Sequence, residues 1–291
     1  MIWLVGSRGM LGQEVARRFD VLKLQHIDTD IECDITDPNA ITAFGEGRQI
    51  RWIINCSAYT AVDKAESEEE RARKINADGP SNLAVFARIH GARIIHISTD
   101  YVYDGEAVRP YREDEPVKPT GAYGRTKAEG EQALAAATSE YFIIRTAWLY
   151  GTRGKNFVYT MLKLMNERDT VGVVADQRGT PTFAPHLAYV IGEIVRQDSK
   201  QYGYYHFTDS GESTWYEFAQ KIYEKGRNAR RIERVCEIKP LRTEDYPTAA
   251  RRPKYSVLAK DKIKSTFGIE IWPWEQGLDE FFAEIAEEVS K

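Results

Sequence analysis

The chain reads as an α/β protein built on a doubly wound parallel sheet, with a smaller C-terminal unit interleaved with that sheet. Three observations predict this. In the first half, short apolar runs alternate with longer amphipathic stretches, the pattern of successive βαβ units. A glycine-rich turn, Gly6-Ser7-Arg8-Gly9-Met10-Leu11-Gly12, follows the first apolar run directly. The second half loses the alternation but shows no linker, repeat or low-complexity tract. A length of 291 residues suits one large domain or two linked ones. Residues 1–150 are expected to form the sheet unit, with segments near 186–225 returning to it. Residues 151–291 are expected to form mainly the second unit.

The elements follow in order. Ile2–Val5 is a buried strand, and the glycine turn leads into a helix reaching about Phe19. Val21–Ile27 reads as the second strand. Asp37-Pro38 opens a helix, with Asp as N-cap and Pro at the first helical position. Trp52–Cys56 is a strand and Glu66 to about Ile89 a helix. Arg93–Ser98 is a strand, Thr126–Ala137 a helix and Tyr141–Ala147 a strand. Asn156–Glu167 reads as a helix, Val171–Val174 as a short strand, His186–Arg196 as a helix and Tyr204–Thr208 as a strand. Thr214-x-x-Glu217 is a capping box opening a helix through Glu224. Leu278, Phe281, Phe282, Ile285, Ala286 and Val289 share one face of a final amphipathic helix.

Composition narrows the function classes. With 40 Lys and Arg against 44 Asp and Glu, the net charge is -4, so no basic footprint supports nucleic-acid binding. An anionic substrate would need a local basic patch. The three cysteines Cys33, Cys56 and Cys236 are widely spaced, suggesting neither a zinc site nor a disulfide framework. No apolar run is long enough for a membrane span. The chain enters the strand-like segment Met1–Val5 with no basic stretch before it, so no signal peptide is expected and the cytoplasm is the expected location. Asn55-Cys56-Ser57 matches a glycosylation sequon, but after an apolar strand it reads as chance.

Ligands of doubly wound sheets sit at the carboxyl ends of the strands. At the first such end, Gly6, Gly9 and Gly12 permit a tight turn and close backbone approach, and the helix N-terminus attracts a pyrophosphate. The spacing is G-x-x-G-x-x-G, and the position between strand and helix gives the turn its meaning as a Rossmann-type nicotinamide dinucleotide site. Asp28 lies about 20 residues further on, where an acid can accept from the adenine ribose hydroxyls and favour NADH. Arg8 points the other way, toward a 2′-phosphate, so both NADH and NADPH stand as expected cofactors. Asp34 and Ile35 are expected to flank the adenine.

Tyr123 and Lys127 form a Y-x-x-x-K pair on one helix face. The ammonium is expected to lower the phenol pKa and poise it for proton transfer to a carbonyl oxygen. The spacing carries little weight by itself. Among 16 tyrosines a chance copy is expected, and Tyr159 and Lys163 provide one. Only Tyr123 has a hydroxyl at a strand end upstream, Thr99, able to bond the same carbonyl oxygen.

With these residues in view the chain resembles the extended short-chain dehydrogenases/reductases, and most closely the dTDP-4-dehydrorhamnose reductase family. The matching segments run in order: NCSAYTAVDKAE from Asn55, STDYVYDG from Ser98, YGRTKAEGE from Tyr123, RTAWLYG from Arg145, DQRGTPT from Asp176, and Arg251-Arg252-Pro253. The resemblance implies reduction of a sugar C4 ketone by NADH or NADPH, with Tyr123 as proton donor and Thr99 polarising the carbonyl. It implies that Gly9, Met10, Leu11 and Gly12 hold the pyrophosphate, that Ala58, Tyr59 and Thr60 line the cofactor, and that Lys127 binds the nicotinamide ribose. It places Thr99 and Asp100 on the sugar, Trp148 on the sugar nucleotide, and Asn156, Arg251 and Arg252 at the diphosphate. A dTDP-sugar is the expected partner, with the protein a monomer or homodimer.

Three rivals share the fold. A 4,6-dehydratase resembling this family wants an acid after the Thr-Asp pair, where this chain has Tyr101. An epimerase uses the same Thr, Tyr and Lys. A non-catalytic subunit like the regulatory subunit of methionine adenosyltransferase is disfavoured by the intact Thr99, Tyr123 and Lys127. Some family members dimerise around a magnesium ion held by glutamates. Glu14 matches one such position, but with the others unplaced no metal is expected.

Overall fold

The computed structural model describes residues 1–289, with side chains described up to Glu287. In chain order the strands are β1 (Ile2–Val5), β2 (His26–Thr29), β3 (Trp52–Asn55), β4 (Arg93–Thr99), β5 (Tyr141–Thr146), β6 (Leu149–Tyr150), β7 (Thr170–Val174), β8 (Arg178–Gly179), β9 (Thr182–Phe183), β10 (Gly203–His206), β11 (Ser213–Thr214) and β12 (Glu237–Leu241). The helices are α1 (Met10–Val21), α2 (Pro38–Gly45), α3 (Val62–Ala65), α4 (Glu69–Arg73), α5 (Gly79–His90), α6 (Ala122–Ala137), α7 (Phe157–Glu167), α8 (Ala184–Arg196), α9 (Trp215–Asn228), α10 (Asp261–Phe267) and α11 (Trp274–Val289).

The main sheet has six parallel strands in the order β10-β5-β4-β3-β1-β2. Its apolar runs lack polar alternation because both faces are covered. Ile2, Leu4, Ile54 and Ile144 pack on one face with Leu11, Val15 and Phe19 of α1 and Leu187, Val190 and Ile191 of α8. Trp3, Val5, Ile53 and Ile143 pack on the other with Ile41 of α2, Leu83 and Phe86 of α5 and Leu134 of α6. The sheet is the expected doubly wound α/β architecture, and its order reverses between β1 and β3, where such folds open a ligand crevice.

The chain leaves the sheet after β5 and rejoins it at β10, while α8 packs on α1. A separate core gathers α7, α9 and α11 around Met161, Phe218, Ile222, Leu278 and Phe281. Thus α8 and β10 lie with the sheet, and α9 lies with the second core. Thr214 caps α9 through the expected reciprocal box with Glu217. On α11 the core face carries Leu278, Phe281, Phe282 and Ile285. Ala286 is exposed, and the side chain of Val289 lies outside those described.

The boundaries that differ most from the sequence reading are three. The second strand begins at His26, because α1 continues through Val21 and a turn with Lys23 at φ 55 reverses the chain. The long helix after β3 is divided into α3, α4, a π turn (Lys74–Asp78) and α5. α6 starts at Ala122, since the Glu66 carboxylate accepts the Ala122 N–H at 2.8 Å. Among the described residues no helix is long and apolar enough to cross a membrane.

Candidate active site

The carboxyl ends of β1, β2 and β3 border a crevice of about 630 Å³ lined by Gly6, Gly9, Asp30, Asp34, Ser57 and Ala58, among others. Gly6 has φ +77, and a Cβ there would sit 2.7 Å from the Ser57 nitrogen. A Cβ on Gly12 would lie 2.1 Å from the Gly6 carbonyl oxygen. Side chains at either position would force the turn apart. Gly9, which lines the crevice, is the N-cap of α1 and offers no side-chain cap, so the helix start leaves N–H groups without intrahelical partners beside it. The donor set suits a pyrophosphate. Leu11 itself is a core side chain, and Met10 lies against Gly151, so neither side chain lines the crevice.

Asp28 is not in the crevice. Its carboxylate accepts from His26 Nδ1 at 2.7 Å. Because β2 ends at Thr29, the acid just beyond the strand end is Asp30, which lines the crevice and accepts the Arg8 N–H at 3.0 Å. Arg8 pairs with Glu32 at 2.7 Å. Asp30, and not Asp28, is thus the acid that lines the crevice. Asp34, Ile35 and Ala58 do line the crevice, whereas Thr60 is exposed outside it. Tyr59 packs beside Tyr123 against Ala65, Ala72 and Ala122. Buried Asn76 fixes that loop, accepting the Tyr59 N–H at 2.8 Å and donating to the Tyr59 carbonyl at 3.1 Å and Thr126 at 3.2 Å. Asn55, the sequon residue, is fully buried.

Thr99 and Tyr123 lie together, and Lys127 stands one turn further along α6. Thr99 ends β4, donates to Asp100 Oδ1 at 2.9 Å and accepts the Tyr101 N–H at 3.2 Å. Tyr123 lies in the first turn of α6, with its phenol in hydrogen-bond contact with the Thr99 hydroxyl. Burial raises the phenol pKa above its ordinary value, and that contact only partly offsets it. The expected lowering by Lys127 is absent. Lys127 Nζ instead donates to the Ile97 carbonyl at 2.7 Å and meets His96 Nε2 at 3.1 Å. Burial brings the Lys127 amine down to about 8, and Glu131, one turn along α6, pulls it back up. His96 is held neutral, first by burial and then by Lys127. Its other ring nitrogen meets Asn55 at 3.1 Å. Asp100 is buried, its carboxyl pushed up to about 6 by desolvation. Tyr159 and Lys163 make no such group. Tyr159 bonds the Thr152 carbonyl and Lys163 pairs with Glu167 at the surface.

A second cavity of about 370 Å³ lies in the other unit, lined by Phe157, Met161, Gln177, Trp215, Tyr246 and Arg252, among others. Trp148 stacks on Trp215 with centroids 3.6 Å apart, and Gly179 leaves room for its indole. Arg252 is half-buried. It donates to Tyr101 Oη at 2.8 Å and to Asp63 Oδ2 at 2.7 Å. Arg251 is exposed and paired with Glu106. Asn156 is spent on the backbone, accepting the Tyr159 N–H as N-cap of α7 and donating to the Gly151 carbonyl at 2.7 Å. Sequence reasoning did not find Asp30, Asp63, His96 or Trp215. Only Trp215 had a local marker, directly after its capping Thr214. Glu14 is buried beside Arg17. Among the described residues no group of His, Cys, Asp or Glu is placed to hold a metal ion.

A glycine turn at the switch point of a parallel sheet, facing a strand-end threonine and a helical Tyr-x-x-x-Lys pair, defines an extended short-chain dehydrogenase/reductase. Within that class, the family model described as RmlD substrate binding domain matches residues 1–287. The chain is 38% identical to a dTDP-4-dehydrorhamnose reductase of Aggregatibacter actinomycetemcomitans, covering 94% of this chain and 96% of that one. It is 39% identical to a probable dTDP-4,6-dihydroxy-2-methyloxan-3-one 4-ketoreductase of Streptomyces antibioticus, covering 98% and 96%. The crystal structure of a Bacillus anthracis dTDP-4-dehydrorhamnose reductase in complex with NADP superposes with a TM-score of 0.91 at 36% identity, covering 97% of this chain and 98% of that one. This chain belongs to the dTDP-4-dehydrorhamnose reductase family.

Proposed function

We propose that the protein reduces the C4 ketone of dTDP-4-dehydro-L-rhamnose to dTDP-L-rhamnose with NADH or NADPH. The observation that carries this is the placement of Thr99 and Tyr123 together beside a dinucleotide crevice, with Tyr101 and Arg252 leading from them to an aromatic cavity. The cofactor, when bound, supplies the hydride to C4. The chain's residues do the rest. The α1 N-terminus takes the pyrophosphate, and Lys127 holds the ribose from the inner side. The Tyr123 phenol, kept protonated by burial, gives its proton to the C4 oxygen as that oxygen gains charge. The Thr99 hydroxyl aligns and polarises the carbonyl. Trp148, Trp215 and Arg252 bind the nucleotide end, the arginine suiting a diphosphate. In this reading the substrate-binding unit comprises α7, α9, α11 and the strands between them.

The test is to supply dTDP-4-dehydro-L-rhamnose and reduced cofactor and follow cofactor oxidation. Absence of turnover, or full turnover in Tyr123→Phe, sinks the proposal. Oxidised cofactor released in step with product separates a reductase from an epimerase and from a non-catalytic subunit. The similarity to the Streptomyces antibioticus ketoreductase supports a second reading, the 4-ketone of another dTDP-deoxysugar, and a panel of such sugars compared by kcat/KM decides between them.

A further inference from the structure

The segment from Arg242 to Lys254 crosses the mouth of the aromatic cavity, with Tyr246, Thr248 and Arg252 among its lining residues. It is tied at both ends. At one end the Asp176 carboxylate accepts from the Thr243 N–H at 3.0 Å and the Thr243 hydroxyl at 2.7 Å. At the other end the tie comes from the opposite unit. Asp63, on the short helix α3 beyond the carboxyl end of β3, accepts the Ala250 N–H on Oδ1 at 3.1 Å and Arg252 Nη2 on Oδ2 at 2.7 Å. Arg252 also donates from Nη1 to Tyr101, whose ring meets Tyr123 edge-on at 5.5 Å. Immediately after α3, Glu66 accepts the first N–H of α6, the helix that carries Tyr123. One short turn of chain thus sets both the arginine at the cavity and the catalytic helix.

We propose that Asp63 is a positioning residue: its carboxylate fixes the Arg252 guanidinium at the cavity wall and leaves the remaining N–H donors for the diphosphate of the substrate. This rests on the function proposed above. A guanidinium has five N–H donors in a rigid fork. Tyr101 and Asp63 engage two of them. An arginine on a surface segment otherwise loses side-chain freedom when it binds. Anchored beforehand, it meets the diphosphate already ordered. Tyr101 completes the frame by joining the guanidinium to the ring packed on Tyr123.

The experiment compares wild type, Asp63→Asn and Asp63→Glu for the Kd of dTDP and of NADPH by calorimetry, and for KM and kcat with the dTDP-ketosugar. Asp63→Asn is expected to raise the dTDP Kd and the sugar KM by roughly tenfold to a hundredfold, the range of one charge-assisted bond. The NADPH Kd is expected to stay unchanged and kcat to change far less than KM. Asp63→Glu is expected to recover part of the loss. In an Arg252→Ala background, Asp63→Asn should cost nothing more, because both act through one guanidinium. Unchanged dTDP binding in Asp63→Asn overturns the proposal. So does tighter binding, which would make Asp63 a competitor of the diphosphate. An equal weakening of dTDP and NADPH with a lowered Tm also overturns it, since that is the mark of a simple brace. If the wild type itself neither binds dTDP nor turns over the sugar, the function fails and takes the positioning role with it. Wild-type binding with an indifferent Asp63→Asn removes the positioning role alone.

Discussion

The two sides of the cleft are built differently. In the function proposed above, the cofactor side rests mainly on backbone: a glycine turn, an uncapped helix start and three neighbouring strand ends, all within the first third of the chain. In the same proposal the substrate side rests on side chains drawn from far apart, as in the Asp63–Arg252 pair separated by 189 positions and the Trp148–Trp215 stack. A site made of backbone is damaged by adding atoms, because a new Cβ has nowhere to go. A site made of side chains is damaged by removing them, because the aromatic face or the charge is lost.

Substitutions on each side should therefore separate the two affinities. The largest effect belongs to the boundary: Tyr123→Phe is expected to lower kcat by about 10²–10⁴-fold while leaving both NADPH and dTDP binding intact by calorimetry. Gly12→Ala comes next. Its Cβ would sit 2.1 Å from the Gly6 carbonyl oxygen, and such overpacking costs about 1–3 kcal/mol. NADPH binding should weaken by about tenfold or more with dTDP binding retained. Trp215→Ala should do the reverse. It removes a stacked pair worth about 0.5–1.5 kcal/mol beyond its buried area, raising KM for the sugar nucleotide with the NADPH Kd unchanged. A smaller shift is expected from Asp30→Ala, which should move the ratio of NADH to NADPH affinity toward NADPH, while Asp28→Ala leaves it alone. A shift in Asp28→Ala with none in Asp30→Ala would return the discriminating role to Asp28.

The smallest effect is one of pH. The Lys127 amine sits at about 8 instead of its ordinary 10.5, so it is charged below pH 8 and neutral above. Its attraction for the cofactor is expected to be present below pH 8 and to fade as pH rises through that value, giving a weaker NADPH Kd by fluorescence titration. Lys127→Met should abolish the step. Folding responds in the opposite sense. Between about pH 8 and 10.5 the unfolded chain holds this proton more readily than the native one, so this group makes the fold gain stability as pH rises across that window.

The same contrast explains what could be read from the sequence. The glycine turn, Thr99 at its strand end and the Tyr123–Lys127 pair are short local patterns, and each stands where it was expected. Asp28 lies short of the crevice because β2 runs two residues further than expected, to Thr29, so that the carboxylate two positions on, Asp30, reaches it. The direction of the Tyr123 shift was misjudged because burial outweighs a lysine whose amine is bonded to a strand carbonyl and to His96. Asp63, His96 and Asn76 carry no sequence marker at all. Each acts through a partner dozens of positions away, and only the closed fold brings them together. Asn156, placed at the diphosphate by the resemblance alone, is occupied as the N-cap of α7 and by the Gly151 carbonyl.

The return of the chain to β10 has a consequence for biosynthesis. β5 pairs with β4 on one side, but its other edge is filled only by residues 203–206. Until the ribosome has delivered them, every nascent chain carries an open strand rich in aromatic and β-branched residues, Tyr141-Phe142-Ile143-Ile144, an edge of the kind that recruits a neighbour's strand. A fragment cut after the fifth strand would keep that edge for good. The unit that carries the six-stranded sheet is thus not an autonomous module to be borrowed for fusion proteins. It is finished only when the segment after the sugar-binding excursion has been synthesised and has come home.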